Sequence, residues 1–263
     1  MADQGERGPA IKVVFFDIDG TLLPHGGSVP ASARRAIAVL RERGVRVVLA
    51  TGRHPIELDE AGLDGMVFDG YAAANGQMCL DGDRRLFAGY PIPRHGVEAL
   101  VRLAEAGELI WFFGEEESYA SRDGALLHEL ASATTGIMPE VRAYGGEPVY
   151  QAVAFAGEAD EPALAAQLPG CRLQRWGALG VDIIAEDGGK VEGMKAFLER
   201  FGCTREECMA FGDQHNDLDM LAFAGIGVAM GDGAPAVREA ADFVTSAAAD
   251  DGVARALRHF GLV

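Results

Sequence analysis

The chain has 263 residues, of which 49% are hydrophobic, so it can bury the core of one large domain or of two smaller ones. Acidic residues outnumber basic ones by 40 to 23, and the net charge of -17 argues against a general attraction to nucleic acid or to an anionic membrane. No apolar run approaches about twenty residues and the start is polar, which argues against a membrane span or a secretory signal and predicts a cytoplasmic protein.

The first predicted element is a buried strand at residues 12–16 that ends in two acids, Asp17 and Asp19, followed by Gly20. Ligands bind at the carboxyl ends of strands in open α/β sheets, and two acids one extended period apart can point to the same side. Gly20 permits a tight turn that presents backbone N–H groups. The segment therefore predicts a site for a divalent cation and a phosphate, with a plain Asx-rich turn as the structural alternative.

A helix and a second strand follow and complete a βαβ unit. The helix is expected to begin at residues 28–30 and to end at Gly44, and the strand covers residues 45–50. Thr51-Gly52-Arg53 comes next, so a second polar segment lies at an equivalent strand end. The remaining elements expected in this part are a short helix at 56–61 and strands at 66–68 and 71–74.

Residues 81–180 lose this regular winding, because helical stretches and short apolar runs alternate there between many glycines and prolines. The expected elements are helices at 94–106, 124–132 and 160–168 and strands at 109–113 and 149–155. Regular alternation then returns, with strands at 181–184, 208–211, 226–229 and 243–244 and helices at 191–201, 216–223, 235–241 and 252–260.

This order of elements predicts an α/β fold: a doubly wound, Rossmann-like core with a parallel sheet, plus an inserted α+β domain. Residues 1–80 and 181–263 are expected to form the core, and residues 81–180 the inserted domain. An insertion hinged near residues 80 and 180 could close over the strand ends and exclude water, with Arg122 as a candidate contact and an ordinary surface arginine as the structural alternative.

A third polar segment, Gly212-Asp213-Gln214-His215-Asn216-Asp217, again follows an apolar strand and opens a helix. Asp213 can add a carboxylate to a Mg²⁺ ion that Asp17 holds, since Mg²⁺ prefers about six oxygen ligands, including water and phosphate oxygens. Helix capping explains Asn216 and Asp217 equally well.

Lys190 is one of only three lysines in the chain, and it opens a helix after Asp187-Gly188-Gly189. A point cation at this position could neutralise the oxygens of a transferring phosphoryl group. A solvated lysine at a helix end is the structural alternative.

These segments resemble, in order, the four motifs of the haloacid dehalogenase superfamily of phosphohydrolases. The pattern D-x-D-G-T is met at residues 17–21, T-G-R begins at Thr51, K-x-x-G-M begins at Lys190, and G-D-x-x-N-D covers residues 212–217. The insertion is similar in position and length to the cap of the Cof-like sugar phosphatase branch, whose members also carry the Asn-Gly dipeptide found at 75–76. Gln214 departs from the smaller residue that is common in that branch.

The resemblance implies a role for each matching residue. Asp17 would attack phosphorus and form a phosphoaspartyl intermediate, and Asp19 would protonate the leaving alkoxide and then activate water. The Asp17 side chain, the Asp19 backbone carbonyl and Asp213 would ligate Mg²⁺. Asp217 would anchor a metal-bound water or orient Lys190.

The phosphoryl oxygens would then be held by Thr51, the Gly52 amide, Lys190 and Asn216, because phosphoryl transfer depends on positioning and charge stabilisation. The shared dipeptide also makes Asn75 a candidate for binding substrate.

The function predicted is hydrolysis of small phosphorylated metabolites, sugar phosphates foremost, with Mg²⁺ as cofactor and with neither nucleic acid nor a membrane as partner. A phosphomutase remains an alternative because Asp19 serves both reactions. A noncatalytic sugar-phosphate-binding regulator is a second alternative, although binding alone requires neither a nucleophile nor an acid/base. No oligomeric state follows from the sequence.

Overall fold

The computed structural model describes residues 10–133, 138–176 and 180–263. The first part of the chain forms regular strands around one amphipathic helix, whose apolar residues recur at helical spacing from Ala33 to Leu40. Its elements are β1 Val13–Phe16, α1 Ala31–Glu42, β2 Arg46–Ala50, β3 Gly70–Ala73, β4 Met78–Asp81 and β5 Leu86–Gly89.

The middle of the chain is a mixture of short strands and helices, as the sequence predicts for an α+β insertion. Its elements are α2 Arg94–Glu105, β6 Ile110–Phe113, β7 Ser118–Ala120, α3 Ala125–Ala133, β8 Glu140–Val141, β9 Gln151–Ala154, α4 Glu161–Ala165, β10 Cys171–Arg175 and β11 Val181–Ala185.

The last part of the chain returns to strict alternation. Its elements are α5 Lys190–Phe201, β12 Cys208–Gly212, α6 Leu218–Phe223, β13 Ile226–Ala229, α7 Pro235–Ala240, β14 Phe243–Val244 and α8 Gly252–His259. In all three parts of the chain that the structure describes, no helix is both long enough and apolar enough to cross a membrane.

The first sheet has eight strands in the order β14-β13-β12-β1-β2-β3-β4-β5. Neighbouring strands from β14 to β3 run parallel, whereas β4 and β5 extend the edge in antiparallel pairing. Side chains alternate along β1, so Val14 and Phe16 pack on the face that α1 and α8 cover, while Val13 and Phe15 pack on the face of α5 and α6. This confirms the predicted doubly wound α/β core.

The second sheet has six strands in the order β10-β11-β9-β6-β7-β8, paired antiparallel except for β7 with β8. Its two faces are also distinct. Ile110 and Phe112 pack with α2, whereas Trp111 and Phe113 point to the opposite face, where α3 packs. Trp111 and Phe113 on that face also line a cavity that reaches the ends of β1 and β2 in the first sheet.

The two sheets do not divide the chain at residues 80 and 180. Strand β5, at 86–89, pairs in the first sheet, and strand β11, at 181–185, pairs in the second. Each strand follows a predicted boundary in the chain, and each pairs antiparallel with the strand that precedes it, β5 with β4 and β11 with β10. We therefore propose that the cap begins after residue 90 and ends near residue 186.

Three of the predicted short elements are absent or shortened in the structure. The sequence predicts a helix at 56–61, but only a short 3-10 turn forms at Pro55–Glu57. It predicts a strand at 66–68, but these residues form a loop in which Phe68 is buried and Val67 is exposed. The helix expected at 160–168 is reduced to α4. Glycines with positive φ at 62 and 65 turn the chain between the first two of these segments.

Candidate active site

The predicted site residues meet at the carboxyl ends of three neighbouring parallel strands. Asp17 follows β1, Thr51 follows β2 and Asp213 follows β12, and these strands lie side by side in the first sheet. Lys190, the first residue of α5, reaches the same region. All four side chains are buried. The topology thus brings together acids and a cation that are far apart in sequence, as ligand sites in such sheets require.

Lys190 links two of the acids. Its Nζ donates to Asp17 Oδ1 at 2.7 Å and to Asp217 Oδ1 at 2.6 Å, and its side chain is only 1% exposed. Burial lowers the pKa of Lys190, but the two carboxylates outweigh burial and hold that pKa above its usual value. Lys190 is therefore a fixed positive charge at the site rather than the solvated helix-end lysine of the structural alternative.

Asp217 orients the loop around it. Its Oδ2 accepts the backbone N–H groups of Asp213 at 2.9 Å and of Gln214 at 3.0 Å, while Oδ1 accepts from Lys190. A Cβ at position 212 would lie 2.5 Å from the Asp217 Cβ, so only glycine fits this close approach. Both oxygens of Asp217 are therefore committed to the loop and to the lysine.

Asp213 is held by two side-chain donors. Thr21 Oγ1 donates to Asp213 Oδ1 at 2.9 Å, and Gln214 Nε2 donates to Oδ2 at 3.1 Å. Gly20 has φ of +87°, and a Cβ there would come within 2.2 Å of Asp213 Oδ2. Burial, reinforced by the charge of Asp217, raises the pKa of Asp213 to about 6.

The acids fit a divalent cation. Oxygens of Asp17, Asp213 and Asp217 all lie within 4.8 Å of one another, and all three residues are buried. Burial raises the pKa of Asp17 well above its usual value, and the neighbouring acids add to the effect although Lys190 opposes it. Three carboxylates against one lysine leave an excess of negative charge that a bound cation would offset. The oxygens of Asp217 accept from the charged Lys190 and from two backbone N–H groups, whereas those of Asp213 accept from the neutral side chains of Thr21 and Gln214. We therefore propose Asp17 and Asp213 as the metal ligands.

Asp19 forms a two-point ion pair with Arg53. The Arg53 Nε and Nη2 atoms each donate to one Asp19 oxygen at 2.7 Å, and the Asp19 side chain is 47% exposed. A carboxylate held in this way can exchange protons with a ligand only after the pair opens. No local pattern indicates this pair, because residues 19 and 53 follow different strands.

A chain of side-chain amides leads from the first sheet to the second. Asn216 Nδ2 donates to Asn75 Oδ1 at 3.3 Å, and Asn75 Nδ2 donates to Asp182 Oδ2, on strand β11, at 2.8 Å. A Cβ on Gly52 would lie 3.3 Å from Asn75 Oδ1, so the chain passes directly beside the Thr51–Gly52 turn. Asn75 is fully buried and both ends of its amide are used. We therefore propose that Asn75 positions its neighbours rather than binding substrate directly.

A cavity of about 590 Å³ lies between the two sheets. From the first sheet, Asp17, Asp19, Thr51, Gly52 and Asn216 line it, and Trp111, Phe113, Gln151, Val153 and Asp182 are among the residues that line it from the second. Five of the predicted site residues thus face one cavity. Arg122, the candidate cap contact, is exposed elsewhere and donates to the Gly107 carbonyl.

His54 joins the two parts of the molecule, a contact that the sequence does not predict. Its Nε2 lies 2.8 Å from the carbonyl oxygen of Gly114, just after β6, and its ring packs on Phe113. Burial lowers the pKa of His54 to about 4, so the imidazole is neutral near pH 7. The sequence holds a signal for Asp182, an acid inside an apolar strand, but none for this contact of His54.

A family model described as haloacid dehalogenase-like hydrolase matches residues 14–257. YkrA of Bacillus subtilis (strain 168), provisionally named a phosphatase, is 33% identical over 257 residues, which cover 96% of this chain and 98% of that protein. The 5-amino-6-(5-phospho-D-ribitylamino)uracil phosphatase YitU of the same strain is 29% identical and covers 94% of this chain and 97% of its own length.

Solved structures of phosphatases from the same superfamily also superpose on this chain. BT1666 from Bacteroides thetaiotaomicron, described among phosphatases of the HAD superfamily, superposes with a TM-score of 0.89 at 29% identity and covers 100% of this chain and 99% of its own. The HAD subclass IIB sugar phosphatase BT4131 gives a TM-score of 0.84 at 30% identity, over 96% of this chain and all of its own.

Proposed function

The chain belongs to the haloacid dehalogenase-like hydrolase family and is a phosphatase, and we propose that it hydrolyses small sugar phosphates with Mg²⁺ through a phosphoaspartyl intermediate. The observation that carries this proposal is the buried cluster of Asp17, Lys190 and Asp213, with Asp19 beside it at the wall of the cavity. A nucleophile, a fixed cation and a second acid in reach of one ligand are the groups that phosphoryl transfer needs.

In the first step, an Asp17 oxygen attacks phosphorus and the bond from phosphorus to the leaving oxygen breaks. Once its pair with Arg53 has opened and it is protonated, Asp19 gives its proton to that oxygen, so the product leaves as a neutral alcohol. In the second step, Asp19 takes a proton from water, the water oxygen attacks phosphorus, and the bond to Asp17 breaks. Inorganic phosphate leaves, and both carboxyl groups return to their starting state.

The phosphoryl oxygens would be bound by Thr51, the Gly52 amide, Lys190 and Asn216. Lys190 suits this task because Asp17 and Asp217 keep it charged and fixed, so little reorganisation is needed when charge develops on the oxygens. A Mg²⁺ ion held by Asp17, Asp213 and the Asp19 carbonyl would supply charge neutralisation of the phosphate.

Small phosphorylated metabolites are supported as substrates by the size of the cavity and by the relatives. A cavity of about 590 Å³ suits a small molecule. One relative is named for a phosphorylated ribitylaminouracil and a structural neighbour for sugar phosphatase activity. The predicted phosphomutase alternative differs only in the final acceptor, a second hydroxyl in place of water, and is distinguished by its product.

The test is release of inorganic phosphate from 4-nitrophenyl phosphate and from a panel of sugar phosphates, with the purified protein in EDTA and after addition of Mg²⁺ or Ca²⁺. We expect activity with Mg²⁺, none in EDTA and little with Ca²⁺, which takes roughly 6–8 oxygens at longer distances and can engage both oxygens of the nucleophile. Full activity in excess EDTA would contradict the proposed metal dependence. Isomerised sugar phosphate without phosphate release would instead identify a mutase.

The Asp17→Asn variant tests the nucleophile in the same assay. The amide keeps the shape of the side chain but is a poor nucleophile and a weaker metal ligand, so turnover should fall to background while the circular dichroism spectrum is unchanged. Substantial turnover by this variant, after mass spectrometry has excluded deamidation, would remove Asp17 from the nucleophile role.

A further inference from the structure

Asp182 lies in a row of residues that crosses the second sheet, with Gln174 on β10 to one side and apolar residues to the other. The strand register places it beside Val153 on β9, which in turn lies beside Trp111 on β6. All three side chains border the cavity, opposite the strand ends that carry Asp17 and Thr51. The residue itself is 6% exposed, and the two neighbouring strands carry Val153 and Gln174 at this position.

The hydrogen-bond donors that surround Asp182 are uncharged. Among the described residues, the groups that act on it most strongly are Glu57, which is another acid, and the uncharged side chains of Asn75, Gln151 and Trp176. Burying an acid among neutral groups and a second acid is unfavourable, and an apolar side chain would satisfy the packing of the sheet. A group retained at such a cost is a candidate for binding a ligand.

Asp182 lies near the Thr51–Gly52 turn, which is proposed to bind the phosphate, and this position suggests which ligand group Asp182 binds. Only the Asn75 amide separates the Asp182 carboxylate from Asn216, and the same amide borders Gly52. A phosphate held at that turn would therefore direct the first atoms of its leaving group past Asp182. Gln151, which is 4% exposed, has an Oε1 atom without a hydrogen-bond partner among the described residues, so a second acceptor lies in the same wall.

We propose that Asp182 is a specificity-determining residue, which selects phosphate esters whose leaving group carries a hydroxyl or N–H donor close to the esterified oxygen. This inference rests on the proposed phosphatase function. A buried carboxylate accepts such a donor in a charge-assisted hydrogen bond, which is stronger than a bond between neutral groups. An ester without the donor would desolvate the acid further and add no partner to the uncharged donors that it already has, so the site would discriminate against it.

The experiment compares phosphate esters whose leaving groups carry such a donor with esters whose leaving groups lack it. Values of kcat/KM are measured for 4-nitrophenyl phosphate, for glycerol 3-phosphate against propyl phosphate, and for the best sugar phosphate of the panel against its deoxy analogues. They are measured for the wild-type protein, for Asp182→Asn and for the control Asp160→Asn, which removes an exposed acid of the cap. Circular dichroism checks the fold of each variant.

We expect Asp182→Asn to lower kcat/KM about tenfold or more for hydroxylated esters and less than about threefold for 4-nitrophenyl phosphate, while Asp160→Asn changes neither. Equal losses for both kinds of ester, or no loss for either, would overturn the inference and leave the phosphatase function intact. If Asp182→Asn does not fold, the wild-type comparison decides, because equal rates with hydroxylated and deoxy esters also overturn it. A wild-type protein inactive on every ester would instead contradict the proposed function itself.

Discussion

Two buried acids, Asp213 and Asp182, differ in the charged and polar groups that surround them. Asp213 lies near Lys190 and accepts hydrogen bonds from Thr21 and Gln214, so it belongs to a group of charges that balance one another in part. Asp182 has Asn75 as its donor and Glu57 as a charged neighbour. The first is therefore suited to a cation, and the second to a neutral donor.

The surroundings of Asp182 also predict how stability depends on pH. Burial raises the pKa of Asp182 from 3.8 to about 7, so the folded protein holds a proton that the unfolded chain releases between these values. The proton therefore favours the folded state fully below about pH 4, and this contribution is lost as the pH rises to about 7. The groups that act on Asp182 after burial are Asn75, Glu57, Gln151 and Trp176, of which Glu57 is itself an acid.

Asp182→Asn should remove this pH dependence. Relative to the variant, the wild-type protein should lose unfolding free energy on the order of a few kcal/mol between pH 5 and pH 8. Urea unfolding of both proteins at the two pH values measures the difference, with Asp160→Asn as an exposed control. A gap between wild type and Asp182→Asn that is the same at both pH values would show that Asp182 is ionised throughout.

Residues that follow a strand end are recognisable from sequence, because the acids and the threonine interrupt apolar runs. The hydrogen-bond partners of those residues cannot be recognised from sequence. Nothing in the local sequence shows that Arg53 closes on Asp19 or that Asn75 reaches Asp182, since each contact joins segments that the fold alone brings together. The proposed Mg²⁺ ligands follow from strand ends, whereas the role proposed for Asp182 requires knowledge of the register of the second sheet.

At the scale of elements, the position of Lys190 depends on a close approach between two loops. Gly76, after β3, has φ of +82°, and a Cβ there would lie 2.4 Å from the carbonyl oxygen of Gly189 and 2.9 Å from the Lys190 Cα. The start of α5 therefore rests on the turn that carries Asn75. The Asn-Gly dipeptide is recognisable from sequence, but its contact with the lysine loop is not.

Gly76→Ala should therefore displace Lys190, and Gly44→Ala is a matched control. Gly44 has φ of +80°, but a Cβ added there would have no described atom within 4 Å, so this position shares the backbone strain without the clash. Left-handed strain costs roughly 1–2 kcal/mol in both variants, and overpacking adds roughly 1–3 kcal/mol at Gly76.

Urea unfolding and phosphate release measure the two effects. Gly44→Ala should keep its activity, whereas Gly76→Ala should lose most of it under conditions where the protein is still folded. Equal stability and activity in the two variants would mean that the approach of the loops does not position Lys190.

The elements that sequence predicts best are those with a clear apolar run between turn residues, such as β13 and β14, whose observed bounds match the prediction. The short strands β4, β5, β7, β8 and β10 are absent from the prediction, because they are held by pairing with neighbours rather than by a strong local pattern. The loop at 66–68 is the opposite case, because a strand is predicted there but the residues form no strand pairing, although Phe68 is buried.

At the scale of the whole molecule, the chain crosses from the first sheet to the second and back at neighbouring places. Tyr90, where the chain leaves the first sheet, donates its N–H to the Gln77 carbonyl at 2.8 Å. Gly188, where the chain returns, packs so closely on the terminal amide of Gln77 that a Cβ would collide with it. Both crossings thus border one residue of the core, which makes the proposed cap removable without stretching the rest of the chain.

Substrate choice should reside in the cap and phosphate chemistry in the core, because every motif residue lies outside the cap. Joining residue 90 to residue 188 by a short glycine linker removes Asp182 and the cavity-lining rings of Trp111 and Phe113. The linker leaves Asp17, Thr51 and Lys190 in place. The shortened protein, once circular dichroism shows that it folds, should hydrolyse 4-nitrophenyl phosphate slowly, since its site is open to water.

Discrimination among sugar phosphates should flatten in the shortened protein, because the contacts to the leaving group have been removed. Trp111→Ala in the full-length chain provides a second test that does not depend on folding of the isolated core, since it alters the same wall of the cavity. Relative kcat/KM values across one panel of sugar phosphates give the ranking for each protein. If the folded core kept the full-length ranking, the first sheet and its loops would be selecting the substrate, and the cap would serve only to exclude water.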